Sequence, residues 1–314
     1  MPDIFPGDIT CVRGITVGHA QNASARTGVT VIKCPDEGAV GGVSVRGAAP
    51  GTRETDLLRP GNLVEKVHAV VLSGGSAFGL DAAGGVMRHL ETMGVGLDMG
   101  VARVPIVPAA VLYDLANGDS RVRPDGKMGI EALLNASSPT QQGTVGAGTG
   151  ATVGKMIPGA IPAPGGIGTA SITLPEGVTV GAIVAVNACG DVYHPDTNEV
   201  LGCGHLPDGA PVLCMKALLG DQAFASPAPG SNTTIGAVAV DCALTKEQAN
   251  RLADVSHDGL SRTIRPVHTQ MDGDTMFALA TGQTGCNVHF IKLCAAAAEV
   301  TARAIANALI NARK

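Results

Sequence analysis

Short runs of β-branched and small apolar residues recur in both halves of the chain, and Gly, Pro or Asp residues separate them. Runs of this kind predict strands of buried sheets. They cover residues 15–19, 28–33, 40–45, 67–72, 178–187, 233–241 and 275–281. Helical patterns flank these runs, so we expect the 314-residue chain to be an α/β protein in which layered sheets pack between helices.

Three segments show the spacing of helices. Residues 77–90 carry apolar side chains at intervals of three and four and follow the run at 67–72, which predicts a strand, a Gly-rich turn and a helix. Thr245 and Gln248 form a capping box that predicts the start of a second helix. The apolar pattern across residues 291–309 predicts a third helix near the end of the chain.

Glycine and proline divide the rest of the chain. Two prolines restrict residues 104–112 to an edge strand or an extended segment. Residues 143–155 and 159–168 are rich in glycine and are predicted to be loops. Residues 221–232, DQAFASPAPGSN, are mostly Pro, Ala, Ser and Gly, and this composition predicts an exposed linker.

The composition excludes several classes of protein. Hydrophobic residues make up 45% of the chain, which is too apolar for a disordered protein, and aromatic residues make up 2%, which argues against a platform that stacks nucleic-acid bases. The formal net charge is −5 and no basic stripe is present, so nucleic acid is not an expected partner. Apolar stretches such as residues 178–186 are too short to span a bilayer, so a membrane is not expected either.

The eight cysteines point to a reducing compartment. They form no C-x-x-C pair, and no Cys/His cluster has the spacing of zinc ligands, so no metal site is expected. The N-terminal sequence MPDIFPGDIT lacks the basic and apolar regions of a secretory signal peptide. We therefore expect mostly buried, reduced thiols in a cytoplasmic protein.

The segment Gly74-Gly75-Ser76 follows a predicted strand and precedes a predicted helix, which is the context of a nucleophile elbow. Phe78 occupies the position of the second glycine of that motif, so a serine-triad hydrolase is not favoured. Backbone N–H groups at the start of a helix can bind an anion or an oxyanion. A tight turn alone explains the same residues, and both interpretations stay open.

The boundary between the linker and the next strand, Asn232-Thr233, carries a more specific chemical possibility. A cut before Thr233 would give this residue a free α-amine, with a pKa of about 7.7–8.0. The amine could accept the proton of the residue's own hydroxyl, so one residue would supply both nucleophile and base. The alternative is an ordinary linker that leads into a strand, and these two residues taken alone favour it.

Asp272 and Asp274 lie just before the predicted strand at 275–281. Two close carboxylates can orient an ammonium and a hydroxyl, and their repulsion raises the pKa of one of them. A polar turn explains the same sequence, because Asp-Gly is common in turns. Taken singly, His268 is expected to be a packed or capping histidine, Lys155 a solvated loop lysine, and the asparagine at 187 a turn former.

These residues belong to longer stretches that resemble the L-aminopeptidase D-Ala-esterase/amidase family, abbreviated DmpA. That family includes β-peptidyl aminopeptidases and the nylon-oligomer (6-aminohexanoate) endo-hydrolase. The resemblance covers nearly the whole chain. The matching stretches, in order, are RGAAPGTRETDLL (46–58), LSGGSAFGL (72–80), AVLYD (110–114), Gly154-Lys155, VAVN (184–187), NTTI (232–235) and DGLSRTIRPVHTQMDGDTMF (258–277).

The resemblance implies a four-layer αββα sandwich similar to N-terminal nucleophile hydrolases and to ornithine acetyltransferase. It implies a single domain, residues 1–314, that cuts itself into chains 1–232 and 233–314, and it requires no cofactor. The implied roles are Thr233 as the nucleophile released by cutting the Asn232–Thr233 bond, Asn187 as the oxyanion donor, Lys155 as the group that polarises or positions the nucleophile, Asp272 and Asp274 as the pair that orients the new amine and hydroxyl, and Tyr113 with Gly74, Gly75 and Ser76 as residues beside the substrate.

Two features separate the branches of the family. The aminopeptidase branch uses a serine nucleophile and carries Ser-Gly-Glu or a similar triplet, whereas Thr233 and Asp-Gly-Asp resemble the nylon-oligomer branch. Strict removal of N-terminal amino acids is therefore in doubt. Gly230-Ser231 resembles the cut site of the serine members, so an aminopeptidase with Ser231 as the nucleophile is an alternative.

The expected activity is hydrolysis of amide bonds in small peptides or amide oligomers through an acyl-enzyme, in a homotetramer or larger homo-oligomer. Two other classes stay open. An acyltransferase would pass the acyl group to an amine instead of water, and an uncleaved relative would only bind a metabolite.

Overall fold

The computed structural model of the intact chain describes residues 4–220, 223–224 and 230–313, so most of the predicted linker at 221–232 lies outside the described residues. Two sheets lie face to face, and each is covered on its outer side by two helices. This is the four-layer αββα sandwich that the resemblance implies.

The described residues contain twenty strands and five α-helices. The strands are β1 (Thr16–Asn22), β2 (Thr27–Lys33), β3 (Ala39–Val45), β4 (Thr52–Arg53), β5 (Lys66–Val67), β6 (Ala69–Ser73), β7 (Leu97–Asp98), β8 (Arg103–Val104), β9 (Ala109–Val111), β10 (Thr152–Val153), β11 (Ala163–Pro164), β12 (Gly166–Thr173), β13 (Thr179–Asn187), β14 (Asp191–Tyr193), β15 (Val200–Gly202), β16 (Gly204–His205), β17 (Pro211–Val212), β18 (Thr233–Val240), β19 (Ile264–Arg265) and β20 (Thr275–Ala280). The helices are α1 (Asp81–Thr92), α2 (Gly126–Leu134), α3 (Cys214–Leu219), α4 (Lys246–Thr263) and α5 (Phe290–Ala312).

The two large sheets have the strand orders β1-β2-β6-β9-β4 and β12-β13-β18-β20-β3-β5. Helices α1 and α2 pack on the first sheet, and α4 and α5 pack on the second. The core between the sheets takes side chains from both, including Leu72, Ile183, Ile235 and Phe277. Because the second sheet is covered on both faces, its central strands are apolar at nearly every position.

Strand β18 lies inside the second sheet, antiparallel to β13 and parallel to β20. Asn187, the last residue of β13, pairs with Thr233, the first residue of β18. Since β20 runs parallel to β18, the two strands start at the same end of the sheet, and the segment that leads into β20 lies beside the start of β18. This topology therefore brings Thr233, Asn187 and the Asp272–Asp274 segment together although 87 residues separate Asn187 from Asp274.

Both Gly-rich segments differ from the prediction of loops. Strand β10 lies within residues 143–155. Residues 159–168 were predicted to be a loop, but β12 begins at Gly166 and continues to Thr173. A Cβ atom on Gly168 would lie 2.2 Å from backbone atoms of Ala304 and Ala308 in α5. The glycine is needed because the helix backbone passes directly over this strand, and a rule that assigns glycine clusters to loops does not include such contacts.

The seven predicted strands are present, with ends that shift by up to three residues. The capping box at Thr245 and Gln248 is confirmed, and α4 follows it. Residues 104–112, predicted as an edge strand or an extended segment, are not an edge strand: residues 105–108 lie outside the strands, and β9 pairs with β6 on one side and β4 on the other. Its prolines at 105 and 108 fall in the unpaired stretch between β8 and β9, where no ladder hydrogen bond is lost.

Helix α5 is both long and apolar, with 23 residues and a mean hydropathy of 1.4 in its most apolar window. Among the described residues it is the one helix long and apolar enough to cross a membrane, and 72% of its most apolar window is buried inside the protein. It packs against β12 and β13 as a core helix.

All eight cysteines are unpaired and five are buried, which confirms the prediction of mostly buried free thiols.

Candidate active site

Thr233 and the peptide bond before it are buried at the end of the second sheet where β13 ends and β18 and β20 begin. Thr233 is 2% exposed and Asn232 is 0% exposed. The Thr233 hydroxyl donates a hydrogen bond to the Asn232 carbonyl oxygen at 2.5 Å, and the Gly273 backbone N–H donates to the same oxygen at 3.0 Å. The hydroxyl that is expected to be the nucleophile thus lies against the bond that it is expected to cut.

The two aspartates flank Thr233 on the β20 side. Asp274 accepts the Thr234 backbone N–H on Oδ1 at 2.7 Å, and its Oδ2 lies 2.8 Å from His268 Nδ1. Asp272 accepts the Thr269 backbone N–H on Oδ2 at 2.7 Å. Both residues are 2% exposed, so backbone N–H groups and the His268 ring, rather than bulk water, hold the carboxyl groups in position.

Burial and the neighbouring charge of Asp274 raise the pKa of Asp272 to about 7. A carboxyl group with such a pKa exchanges a proton near neutral pH, which suits acid–base chemistry. The repulsion that the sequence predicted for this pair is therefore present, and desolvation contributes the larger part of the shift.

Lys155 and Asn187 face Thr233 from the β13 side. Lys155 Nζ donates to Asn187 Oδ1 at 2.7 Å and lies 3.4 Å from the Ser231 carbonyl oxygen. Asn187 Nδ2 donates to the Tyr113 carbonyl oxygen at 3.0 Å. The asparagine side chain is therefore fixed from both ends, with its amide nitrogen directed toward the loop that carries Tyr113.

Desolvation lowers the pKa of Lys155 to about 7, against the opposing influence of Cys189, Asp272 and Asp114. Its hydrogen-bond partners are carbonyl and amide oxygens, so no carboxylate bonded to the ammonium restores its usual pKa. A lysine in this state is neutral in a large fraction of molecules at neutral pH and can accept a proton. The interpretation of Lys155 as a solvated loop residue was wrong.

A cavity of about 210 Å³ opens beside the Thr233 side chain. Its described lining is small or apolar apart from hydroxyl groups, and it consists of Ala49, Pro50, Gly51, Ser76, Ala77, Val111, Leu112, Tyr113, Gly230 and Thr233. Three larger surface cavities, of about 270, 490 and 800 Å³, lie elsewhere and contain none of the predicted site residues. The cavity that matters for the chemistry is thus a small one.

The Gly74-Gly75-Ser76 loop lies next to this cavity, but only Ser76 lines it. The three backbone N–H groups of the loop already donate within the protein, to Gly28 O, Asp114 Oδ1 and Leu112 O at 2.9, 2.7 and 3.0 Å in turn. In the intact chain these amides are therefore not directed at Thr233. A role of the loop in binding substrate stays a prediction.

One known protein family matches almost the full sequence. The model of peptidase family S58 matches residues 7–314. The chain belongs to peptidase family S58. An uncharacterised aminopeptidase of Mycobacterium tuberculosis is 43% identical to this S58 chain, over 97% of this chain and 94% of its own length. A 6-aminohexanoate-oligomer endohydrolase of Kocuria sp. is 33% identical, over 86% of this chain and 74% of its own length.

Solved structures show the same fold. A Burkholderia sp. β-aminopeptidase has a TM-score of 0.71 and 25% identity, and the match covers 99% of this chain and 89% of that chain. The L-aminopeptidase D-Ala-esterase/amidase of Ochrobactrum anthropi, a variant of the Ntn hydrolase fold, has a TM-score of 0.71 at 22% identity, over 99% and 88% of the two chains. This S58 protein is therefore a hydrolase that acts on amide bonds and has the Ntn hydrolase fold.

Three features of the S58 site were not identified from the sequence. Gly273 was passed over as the spacer between two aspartates, although its N–H reaches the Asn232 carbonyl oxygen. His268 was expected to pack or cap, yet it bonds Asp274 with both its backbone N–H and its ring. The loop at Ala49 lines the cavity, and its sequence RGAAPG was noted only as a matching stretch.

Among the described residues, no group of three or more His, Cys, Asp or Glu is placed to hold a metal ion.

Proposed function

We propose that this protein is a self-processing N-terminal threonine amidohydrolase, which cuts its own Asn232–Thr233 bond and then hydrolyses amide bonds of small peptides or amide oligomers. The observation that carries the proposal is the buried contact between the Thr233 hydroxyl and the Asn232 carbonyl oxygen, inside a cluster of Asp272, Asp274 and Lys155. A buried bond between a linker and a central strand has no structural need for such a cluster, since taking titratable groups out of water costs free energy.

In the self-cleavage step, the Thr233 oxygen attacks the Asn232 carbonyl carbon. The C–N bond breaks, the nitrogen takes the proton that the hydroxyl released, and an ester joins Asn232 to the Thr233 oxygen. Water then hydrolyses this ester to the Asn232 carboxylate and the free Thr233 hydroxyl. Neutral Lys155 is the base suited to the first proton transfer, because Thr233 has no free amine until its bond is cut.

In the second reaction, the free amine of Thr233 is the general base for its own hydroxyl. Asp272 and Asp274, held by backbone donors, orient the ammonium that forms. The hydroxyl attacks the carbonyl carbon of an amide in the 210 Å³ cavity, the amine leaves with a proton, and water releases the acyl group. The Asn187 side-chain amide and Lys155 stabilise the oxyanion.

Thr233, rather than Ser231, fits the role of the nucleophile. Thr233 begins β18 opposite Asn187, and the residue lines the cavity. Ser231 stands two residues before the strand, and its carbonyl oxygen accepts from Lys155 Nζ at 3.4 Å. A cut before Ser231 would place the new amine two residues before the start of β18, whereas Asp274 bonds the backbone of Thr234.

The lining of the cavity bears on the substrate. None of its described side chains carries a charge, and the two buried carboxyl groups are already engaged by backbone donors. This favours an acyl group that is uncharged next to the cut amide, such as the interior of an amide oligomer. It agrees with the name of the Kocuria relative, 6-aminohexanoate-oligomer endohydrolase, more closely than with a strict aminopeptidase.

A homo-oligomer of four or more chains and a location in the cytoplasm remain part of the proposal. The free, mostly buried thiols support a reducing compartment. Size-exclusion chromatography with light scattering measures the assembly directly.

Denaturing mass spectrometry of the purified protein tests the proposed function. We expect two chains of 232 and 82 residues, and a single intact chain in the Thr233→Ala variant. Ser231→Ala is the matched control, and it should cut at Asn232 like the unchanged protein. An intact wild-type chain after long incubation at neutral pH, without activity on amides, would contradict the proposal.

A screen of peptides, β-peptides, D-amino-acid amides and 6-aminohexanoate oligomers then defines the substrate. Adding an amine acceptor during the screen separates hydrolysis from acyl transfer, because transfer yields a new amide instead of a free acid. Substrate binding that survives in Thr233→Ala while no turnover occurs in the unchanged protein would favour a metabolite-binding role.

A further inference from the structure

The backbone N–H of Gly273 donates a hydrogen bond to the carbonyl oxygen of Asn232. The Gly273 backbone N–H lies 3.0 Å from it, which is normal hydrogen-bond geometry, and the carbonyl belongs to a residue with 0% exposure. Negative charge develops on this oxygen when the Thr233 hydroxyl attacks. A fixed N–H donor at that position has the geometry of an oxyanion hole.

The position requires a glycine. A Cβ atom at residue 273 would lie 2.7 Å from the Ala49 carbonyl oxygen, 2.9 Å from Thr233 Oγ1 and 3.1 Å from the Pro50 Cα atom. Any side chain would therefore push the backbone away from the nucleophile or from the wall of the cavity. The absence of a side chain lets the N–H approach the bond that is cut.

Backbone bonds on both sides keep this N–H in place. Asn232 and Asp272 form a parallel β-bridge, and the Ala49 N–H donates to the Asp272 carbonyl oxygen at 2.9 Å. The Gly47 N–H also donates to the Asp274 carbonyl oxygen, at 3.2 Å. The donor is thus organised before the reaction, which is the condition under which such a group stabilises a transition state.

Asn187, the donor assigned to the substrate reaction, is engaged elsewhere in the intact chain. Its Nδ2 donates to the Tyr113 carbonyl oxygen, and its Oδ1 accepts from Lys155 Nζ and from the Thr152 N–H. No hydrogen bond joins the side chain of Asn187 to the carbonyl of Asn232, and both residues are described. The scissile carbonyl points to Gly273 instead.

We infer that the Gly273 N–H is the oxyanion donor of the self-cleavage reaction, distinct from the Asn187 side chain that serves the amide substrate. The inference rests on the proposed self-processing. The Gly273 N–H stabilises the tetrahedral oxyanion on Asn232 O until the C–N bond breaks and the ester forms. The same site therefore uses two oxyanion donors, one for its own chain and one for its substrate.

The test removes the N–H without adding a side chain. Cell-free translation with a suppressor tRNA that carries glycolic acid replaces the amide before residue 273 by an ester, so an oxygen takes the place of the N–H. Glycolate at Gly47 is the matched control, because it removes one hydrogen bond to the same segment but none to a reacting atom. Gel electrophoresis of the labelled chain follows the appearance of the 82-residue fragment.

We expect glycolate at residue 273 to slow self-cleavage about 100- to 1,000-fold, the usual effect of losing one oxyanion donor. Glycolate at Gly47 should leave the rate within about tenfold of the unmodified chain. Equal rates for the two esters, or a 273 ester that cuts normally, would overturn the inference. So would a 273 precursor that proteases digest more readily than the Thr233→Ala chain, since the N–H would then serve folding. A failure of the unmodified chain to cut refutes the proposed function instead.

Discussion

Both ends of β18 bury a carboxyl group, but the two ends differ in what surrounds it. At the first end, Asp272 lies beside Asp274, and Lys155 is also desolvated. At the other end, Asp241 is 0% exposed and follows the strand directly. Its Oδ1 accepts the Thr179 N–H at 2.9 Å, and its Oδ2 lies 3.9 Å from Nε of Arg13, whose side chain is 61% exposed.

The difference shows that burial of a carboxylate does not by itself indicate function. Asp241 accepts the backbone N–H that starts β13 and faces a cation that reaches solvent, so it serves the fold. Burial, and after it the neighbouring charge of Asp274, raises the pKa of Asp272 to about 7, the same value to which desolvation lowers the pKa of Lys155. Two groups poised near neutral pH at one end of a strand indicate acid–base chemistry.

The largest expected effect tests the cation at each end. Lys155→Met keeps the length of the side chain but removes the amine, and we expect the rate of self-cleavage and of amide hydrolysis to fall at least about 100-fold. Arg13→Met, at the Asp241 end, should change neither rate by more than about twofold, because the Arg13 side chain is largely exposed, its Nε lies 3.9 Å from the carboxylate, and the pair is at the end of β18 away from Thr233. Mass spectrometry of cleavage and steady-state kinetics measure both. A strong effect of Arg13→Met would break the distinction between the two ends.

The second prediction concerns pH and uses the uncleaved Thr233→Ala chain as background. The pKa of Asp272 is raised in the folded protein from 3.8 to about 7, so the folded state binds more protons than the unfolded state between these values, and stability falls as pH rises through this window. The free energy of unfolding should therefore decrease from about pH 5 to pH 7. Adding Asp272→Asn should make this decrease smaller by about 2 kcal/mol. Urea unfolding at both pH values measures it. An unchanged pH slope in the double variant would contradict the raised pKa.

A third prediction targets the opposite end of the strand. Asp241→Ala leaves the Thr179 N–H without its acceptor in a buried position, so the free energy of unfolding should fall by about 1–3 kcal/mol. Self-cleavage of the folded chain should proceed at an unchanged rate. Denaturant unfolding and a cleavage time course provide the two measurements, and a slowed cut would mean that this end also takes part in the chemistry.

The smallest effect is expected at the wall of the cavity. Tyr113 contacts Asn187 through its backbone carbonyl, which Tyr113→Phe leaves in place. We expect KM for an amide substrate to change by about two- to fivefold while kcat and self-cleavage stay the same, because Tyr113 lines the cavity and the bond to Asn187 is made by its backbone. A loss of kcat in this variant would place its hydroxyl in the machinery at the first end of β18.

Much of this arrangement follows from the sequence. Continuous apolar runs mark β13 and β18 because both faces of the second sheet are covered, and the capping box marks the start of α4. Thr233, Lys155, Asn187 and the two aspartates were found through a family resemblance, since each alone had an ordinary explanation. Spacing along the chain gave no indication that these five residues meet at one end of the second sheet, because their meeting depends on the order of the strands.

The features that the sequence concealed are those made by the backbone. Gly273 acts through an N–H, and Gly168 acts through the side chain that it lacks. Neither property is encoded in a hydrophobic pattern, because both depend on which remote segment comes close. The ring of His268 likewise acquires its role only from the position of Asp274.

The place of β18 in its sheet has a consequence for the two fragments that a cut before Thr233 would create. Strands β18 and β20 of the smaller fragment lie between β13 and β3 of the larger one, and hydrogen bonds join each of these pairs. Separating the fragments would require pulling a two-strand strip out of the middle of a six-stranded sheet. Dissociation of the pair would thus amount to global unfolding, and the fragments should co-purify under any condition that preserves the native sheet.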